Sequence, residues 1–272
     1  LMSHCQRGDE YIVGKMAHTY RWEAGGGAVL GSIQPQPIAH QADGTLALAD
    51  IEASIKPDDP HFARSRLLCL ENTLGGRLMP MAYLRDATAL ARRHGLATHL
   101  DGARLFNAAV GLGGDPRANA RAMAELFDSV SVCFSKGLGA PAGSALVGSA
   151  ELIARAKRVR KMAGGTMRQA GILAAAAMHA LDHHIDRLAD DHARARRLAE
   201  GLQGLPGVTV QMPQTNMVFI DLPRERAAAA VAALREQGVL STGLYQLRLV
   251  THLDVNDEQI DQAIAALRRA LH

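Results

Sequence analysis

Cysteine and aromatic residues are scarce in this chain of 272 residues. Cys5, Cys69 and Cys133 show no spacing typical of metal ligands, and an odd number of cysteines argues against a disulfide framework. We therefore expect reduced thiols, with Cys69 and Cys133 buried in apolar strands. Aromatic residues make up only 4% of the chain, so stacking on nucleic-acid bases is not expected.

Long hydrophobic runs and a strong net charge are also lacking. The longest apolar run, 170–181, is interrupted by His179 and is too short to span a bilayer, and no signal peptide is recognised at the start. The formal net charge of +3, from 30 basic and 27 acidic residues, is too small to predict a polyanionic partner. We expect a soluble cytoplasmic protein without a nucleic-acid or membrane partner.

Motifs of several hydrolase classes are missing. There is no His-Glu-x-x-His, no paired cysteine motif and no Gly-x-Ser-x-Gly, which argues against a zinc hydrolase and a serine hydrolase. Four histidines, His179, His183, His184 and His192, fall in an arginine-rich helical stretch. Such spacing can hold a metal, but a solvated helix face is the more common explanation, so we predict no metal site.

Strand-like and helical segments alternate through the first half of the chain. This alternation predicts an α/β protein with a mostly parallel sheet covered on both faces. The strand-like runs are 10–13, 67–70, 97–100 and 130–134, and the helical stretches are 46–55, 80–94 and 118–127. Residues 1–8 read as the end of a helix with a glycine stop, so the chain is expected to begin in the middle of a fold.

The second half of the chain predicts a smaller unit. A long helical pattern covers 170–205 and changes from apolar to charged, which suggests a helix that leaves one core and enters another. The strands 208–211, 217–221 and 246–251 and the helices 224–237 and 256–271 follow. We predict a large domain at 1–185 and a small α+β domain at 186–272.

Lys136 and Asp101 are the strongest candidates for chemistry. Each follows a short apolar run and is followed by a glycine, which places a charged side chain where a buried strand ends. An amine and a carboxylate in one crevice suit pyridoxal phosphate, which needs a Schiff-base lysine and a partner for its ring nitrogen. Alternatively, Lys136 is a solvated loop residue and Asp101 caps a helix at Gly102 and pairs with Arg104.

Other charged or polar residues offer weaker signals. His18 follows the first strand and suits ring stacking or proton transfer, although a lone histidine is more often structural. Arg248 lies within an alternating strand, where a guanidinium needs an anion such as a carboxylate. A basic stretch that includes Lys161 and Arg168 suits a phosphate, a nucleic acid or, for most of its members, a solvated helix face.

Taken together in order, six motifs resemble the low-specificity L-threonine aldolases, and the likeness runs essentially from end to end. They are Ala-His-Thr-Tyr (17–20), Leu-Glu-Asn-Thr (70–73), His-Leu-Asp-Gly-Ala-Arg-Leu-Phe-Asn (99–107), Ser-Lys-Gly-Leu-Gly (135–139), Arg-Lys-Met-Ala-Gly-Gly-Thr-Met-Arg-Gln (160–169) and Arg-Leu-Val-Thr-His (248–252).

The resemblance implies a fold-type-I enzyme that uses pyridoxal 5'-phosphate. The fold would be that of aspartate aminotransferase, with a mostly parallel, seven-stranded-type sheet in the large domain and a small C-terminal α+β domain. The reaction would be the retro-aldol cleavage of L-threonine or L-allo-threonine, an amino-acid substrate, to glycine and acetaldehyde. Members are usually homotetramers whose active sites lie between subunits.

The resemblance also implies a role for each matching residue. Lys136 would form the Schiff base, Asp101 would pair with the pyridine nitrogen, and His18 would stack on the ring. Arg104 and Arg248 would hold the substrate carboxylate. The remaining two cations would reach the cofactor phosphate from a neighbouring subunit; they are Lys161 and Arg168. The base that takes the β-hydroxyl proton stays open between His18 and a bound water.

Two departures from the family pattern accompany this resemblance. Leu74 stands where many members have a histidine, so a role for that histidine cannot be transferred. Members also begin with a segment that carries a serine near the substrate carboxylate and a Gly-Thr phosphate cup, and this sequence starts after both. We therefore expect a fragment with incomplete cofactor affinity. Two alternatives stay open, a β-eliminating lyase and an inactive truncated chain.

Overall fold

A computed structural model describes residues 1–242 and 246–271. Its larger sheet has six strands in the order β2-β1-β3-β4-β5-β6, of which the first five are parallel and β6 is antiparallel to β5. The mostly parallel sheet is confirmed, with six strands in the described residues where a seven-stranded type is expected. The strands are β1 (Asp9–Gly14), β2 (Gln34–Ile38), β3 (Arg64–Glu71), β4 (Ala97–Gly102), β5 (Ser129–Cys133) and β6 (Ser144–Gly148).

Helices connect these strands and cover the sheet. They are α1 (His18–Arg21), α2 (Gly26–Val29), α3 (Leu48–Ser54), α4 (Met81–Arg93), α5 (Leu105–Gly111), α6 (Pro116–Ala124), α7 (Ala150–Met162) and α8 (Gly171–His183). The helix predicted at 80–94 corresponds to α4, which follows Pro80, ends in Arg92 and Arg93, and precedes Gly95 in a left-handed conformation. Its apolar face packs into the largest hydrophobic cluster.

Strand alternation determines the two sides of the sheet. In β3, Leu68 and Leu70 belong to the main hydrophobic cluster, which includes α4, while Leu67 and Cys69 belong to a second cluster on the opposite face. Successive side chains of a strand point to opposite faces, so this division follows directly from the sequence. Glu71 continues the face of Leu67 and Cys69.

The C-terminal part forms a smaller antiparallel sheet in the order β7-β8-β9. Its strands are β7 (Thr209–Gln211), β8 (Met217–Asp221) and β9 (Leu247–Val250), and its helices are α9 (Leu188–Gly201), α10 (Arg224–Glu236) and α11 (Asp257–Leu271). One apolar face of each helix packs with the sheet in a separate hydrophobic cluster. The predicted α+β arrangement is confirmed, whereas the division into domains at 185 stays a prediction.

The single long helix predicted over 170–205 is wrong. The structure has two helices there, α8 and α9, separated by His184 to Arg187. The imidazole Nδ1 of His184 lies 2.6 Å from the carbonyl oxygen of Leu138, and Ile185 is buried beside Leu138. Because these contacts fix the segment between the helices, tertiary packing overrides a helical pattern that is continuous in the sequence.

Three further expectations need correction. His192 is buried rather than on a solvated face, and the thiol-bearing Cys133 is only half-buried. Residues 1–8 form turns rather than a helix, with the His4 and Cys5 amides donating to the Leu1 carbonyl. Among the residues that the structure describes, no helix combines the length and the apolar character needed to cross a membrane.

Candidate active site

Four neighbouring parallel strands bring the candidate residues to one edge of the large sheet. β3 ends at Glu71 and β4 carries Asp101 next to its last residue, while His18 follows the end of β1 and Lys136 follows the end of β5. These strands are adjacent in the order β1-β3-β4-β5. A crevice outside the carboxyl ends of parallel strands is where α/β proteins bind ligands.

Asp101 is a buried carboxylate at this edge. The residue is 8% exposed, and β-sheet pairing aligns it with Glu71 on one side and Ser131 on the other. One carboxylate oxygen, Oδ1, accepts a hydrogen bond of 3.1 Å from the Ala103 amide. Because α5 begins only at Leu105, Asp101 does not cap this helix, but its charge does act on Arg104.

Lys136 lies half-buried in a tight loop after β5. The Lys136 carbonyl accepts a 2.8 Å hydrogen bond from the Gly139 amide. A Cβ at Gly137 would lie 2.7 Å from Oδ1 of Asn107, so only glycine fits against that buried amide. Asn107 Nδ2 is in turn 3.2 Å from Nε2 of His192, a buried residue of α9. Asn107 of α5 and His192 of α9 therefore form a polar pair that lies against the loop containing Lys136.

His18 begins the short helix α1 and is half-exposed. Its ring Nδ1 lies 2.8 Å from Oε1 of Glu23, and its main-chain amide donates a 2.7 Å hydrogen bond to Oε2 of Glu71. The following residue, Thr19, accepts a 3.3 Å hydrogen bond from the Tyr11 hydroxyl at its carbonyl. Contacts with β1 and β3 thus hold the main chain of this segment against the sheet.

Glu71 links all of these groups, and sequence reasoning did not single it out. Its pKa is raised to about 7 by burial and by the negative charge of Asp101. The His18 amide and the charges of Arg104 and Lys136 oppose this increase. His18, Asp101, Arg104 and Lys136 therefore all lie close enough to act on Glu71. The available signal was that Glu71, like Asp101, ends an apolar strand run.

Arg104 and Arg248 come from different sheets. Arg104 precedes α5 and is half-buried, and its pKa is lowered by burial and, to a smaller extent, by the positive charge of Arg248. Arg248 lies in β9, where its Nε donates a 3.1 Å hydrogen bond to the Thr242 hydroxyl. The negative charge of Glu71 opposes the decrease of the Arg104 pKa. Two positive charges that act at the same place create a region that favours an anion.

Lys161 and Arg168 lie apart from this cluster. Lys161 is near the end of α7 and Arg168 lies between α7 and α8, and both are exposed. Within the described residues, neither side chain forms a hydrogen bond or an ion pair. The structure therefore brings five of the seven predicted site residues into one neighbourhood, namely His18, Asp101, Arg104, Lys136 and Arg248, and leaves Lys161 and Arg168 on the surface.

A comparison with protein families finds that the family described as beta-eliminating lyase matches residues 1–225. A protein of Escherichia coli O157:H7 named low specificity L-threonine aldolase is 51% identical over 271 residues, which cover all of this chain and 80% of that protein. The chain belongs to the beta-eliminating lyase family. An Arabidopsis thaliana relative, named probable low-specificity L-threonine aldolase 2, is 38% identical and is covered to 79%.

Solved structures show the same fold. A putative aromatic amino acid beta-eliminating lyase/threonine aldolase from Exiguobacterium sp. 255-15 aligns with a TM-score of 0.76 and 26% identity, covering 96% of this chain and 75% of that one. The threonine aldolase of Leishmania major aligns with a TM-score of 0.80 and 21% identity, covering 100% and 80%. The predicted fold-type-I architecture is therefore confirmed.

Beta-eliminating lyases and their fold-type-I neighbours are pyridoxal-phosphate-dependent enzymes, so the predicted cofactor and lyase class are confirmed. The residues present suit the ring end of this cofactor. The aldehyde of pyridoxal phosphate reacts with an amine, and Lys136 supplies one from a sharply turned loop. The ring nitrogen needs a facing carboxylate to stay protonated, and Asp101 is a buried carboxylate on the adjacent strand.

Proposed function

We propose that this protein cleaves L-threonine and L-allo-threonine to glycine and acetaldehyde with the help of pyridoxal phosphate. One observation above all supports this proposal. The amine of Lys136, the carboxylate of Asp101 and the segment that bears His18 all lie around Glu71, at the ends of four adjacent strands. The relatives that are named low-specificity L-threonine aldolases over the full length of this chain support the same activity.

Three residues act on the cofactor in this proposal. Lys136 provides the amine that attaches the cofactor, Asp101 keeps the proton on the pyridine nitrogen, and His18 places its ring against the cofactor plane. When bound, the cofactor accepts the electron pair released by cleavage of the bond between Cα and Cβ. Asp101 stabilises that acceptor state, because a buried carboxylate opposes loss of the ring proton.

Arg104 and Arg248 bind the substrate carboxylate in this proposal. Their proximity supports it, since each guanidinium gains from an anion placed between the two positive charges. Holding the carboxylate orients the bond between Cα and Cβ relative to Lys136. The proton of the β-hydroxyl group passes to His18, whose ring faces Glu23, or to a water molecule.

We further propose a homotetramer in which Lys161 and Arg168 reach the cofactor phosphate of a neighbouring subunit. Helix α8 supports assembly, because it is largely apolar although Ile172 and Met178 are 69% and 63% exposed. Both cations precede this helix in the chain and have no described partner within their own subunit. The division into domains at 1–185 and 186–272 is proposed on the two separate hydrophobic clusters.

A product assay tests the activity. The purified protein is incubated with pyridoxal phosphate and either L-threonine or L-serine. Glycine and acetaldehyde from threonine are the expected products. A second candidate, β-elimination, is favoured by the description of the matching family and would release ammonia and a keto acid instead. Ammonia without glycine would overturn the aldolase proposal, whereas the absence of all products with the cofactor bound would overturn both.

A further inference from the structure

Glu71 occupies a special position on the active-site edge. It is the last residue of β3, and its alignment with Asp101 on β4 places both side chains on the same face of the sheet. That face carries Leu67 and Cys69, which pack with Ala17 beneath the segment that begins α1. The strand pattern therefore directs a carboxylate toward the segment that bears His18.

The contact between Glu71 and His18 is a main-chain contact. Oε2 of Glu71 accepts a hydrogen bond of 2.7 Å from the His18 amide. Ala17, which precedes α1, provides no side-chain cap for the amides of this short helix. Glu71 thus satisfies, from a different strand, an amide that the local sequence leaves without an acceptor. Hydrogen bonds to an ionised acceptor are among the stronger ones in proteins.

The position of His18 depends on few other contacts. Its ring is half-exposed and touches Glu23, itself an exposed residue. Tyr11 and Cys69 approach the neighbouring Thr19 at 3.3 and 3.7 Å, so they hold the segment one residue further on. Removing Glu71 would leave the His18 main chain without its hydrogen bond to the large sheet.

We propose that Glu71 is a positioning residue. Its carboxylate oxygen accepts a hydrogen bond from the His18 amide and thereby fixes the His18 ring against the cofactor. The inference rests on the proposed function, because it assigns Glu71 a task in the same reaction. Its specific claim is that the acceptor oxygen at the right distance matters more than the negative charge. Glutamine preserves that oxygen and removes the charge, whereas aspartate keeps the charge and withdraws the oxygen.

Glu71→Gln, Glu71→Asp and Glu71→Ala test this claim in the cofactor-loaded protein. We measure amide hydrogen exchange in the peptide that contains His18, the dissociation constant for pyridoxal phosphate and the rate of threonine cleavage. Glu71→Ala and Glu71→Asp should exchange about tenfold faster at His18 and lose about 100-fold in kcat. Glu71→Gln should stay within about fivefold of the parent in all three measurements.

Glu10→Gln is the matched control. Glu10 is a buried carboxylate at the opposite end of the same sheet, where Ser65 donates a hydrogen bond of 2.9 Å to it. The control should leave exchange at His18 unchanged. Should Glu71→Ala fail to fold, the contrast between the aspartate and glutamine variants carries the test.

Two results would overturn the inference. One is a glutamine variant as impaired as the aspartate variant, because an acceptor oxygen at the right distance would then not be enough to hold His18. The other is parental exchange at His18 in Glu71→Asp. Failure of the proposed function gives a different pattern: the parent protein would bind the cofactor and release no glycine. Faster exchange at His18 and weaker cofactor binding in Glu71→Asp but not in Glu71→Gln would still support the positioning role.

Discussion

At the scale of single residues, the site combines positively and negatively charged side chains that are buried or half-buried. Asp101 is buried, and burial acts on both Glu71 and Arg104 to disfavour their charged forms. Each charge is offset by an opposite one nearby, with Lys136 and Arg104 opposing the pKa increase of Glu71. Perturbed groups of this kind cluster at functional sites.

Glu71 should make the stability of the cofactor-free protein depend on pH. Its pKa is about 7 in the folded protein and 4.5 in its ordinary state, so between these values the folded state binds more protons than the unfolded state. The free energy of unfolding therefore falls as pH rises from 4.5 to 7. Glu71→Gln should remove this loss and stabilise the protein at about pH 8, relative to the parent, by at most about 3 kcal/mol.

Urea unfolding of both proteins at about pH 5 and about pH 8 measures this effect. The buried imidazoles of His99 and His192 have lowered pKa values of about 3 and about 4, and they produce the opposite dependence on pH. Because both proteins contain them, their contribution cancels in the difference. An equal stability difference at the two pH values would contradict the prediction.

Lys136→Ala should abolish covalent attachment of pyridoxal phosphate. Lys136 provides the amine whose charge acts on Glu71, so the visible absorbance of the bound cofactor should disappear. Absorbance spectra after reconstitution measure this loss, and circular dichroism checks the fold. Lys157→Ala, which changes an α7 residue, is the control and should keep the absorbance. A parental spectrum for Lys136→Ala would exclude this lysine as the attachment point.

At the scale of elements, the loop after β5 packs against α5, whose Asn107 contacts His192 of α9 in the C-terminal part. Gly137→Ala should push this loop away from Asn107, because the added Cβ would lie 2.7 Å from Oδ1. Overpacking of this kind costs about 1–3 kcal/mol. We expect a lower melting temperature together with weaker cofactor binding in a fluorescence titration.

Gly171→Ala is the matched control for that variant. Gly171 lies at the start of α8, and no neighbouring atom comes within 4 Å of the position that an added Cβ would take. Alanine also has a higher helix propensity than glycine, so this variant should melt at the parental temperature or slightly above it. Equal behaviour of the two variants would show that the contact with Asn107 does not restrain the loop.

The elements differ in how well their sequence predicts them. α4 carries local signals at both ends, and its predicted bounds of 80–94 match Met81–Arg93 closely. β2 was missed because it reads Gln-Pro-Gln-Pro-Ile, and proline cannot donate to a sheet ladder. The strand lies at the sheet edge beside β1, where prolines are tolerated. An edge position is decided by topology and not by local sequence.

At the scale of the whole molecule, helix α8 is largely apolar, yet Ile172 and Met178 on it are exposed in a single chain. Ile172→Glu should weaken assembly, because it places a charge on an exposed apolar surface that we assign to a subunit interface. Size-exclusion chromatography with light scattering should show a smaller assembly at equal concentration. Val231→Glu on α10, where the side chain is 39% exposed, is the control. A parental mass for Ile172→Glu would place the interface elsewhere.

Arg248 also belongs to the whole-molecule scale. It lies far from Arg104 in the chain, and the two approach each other only because the smaller sheet packs near the edge of the larger one. Sequence pattern indicated that Arg248 needs an anion, but no local rule gives its distance from Arg104. The same limit applied to His192, whose partner Asn107 lies on α5.

The sequence by itself determined most of the strands, although not β2 and β6, the helices α4, α10 and α11, the two faces of each strand, and the position of Lys136 and Asp101 at strand ends. These features depend on period and on nearest neighbours along the chain. Only the tertiary structure placed Glu71 among His18, Asp101, Arg104 and Lys136, and only it buried His192. The reason is physical: burial and charge proximity depend on contacts between distant segments, which exist only once the sheet has formed.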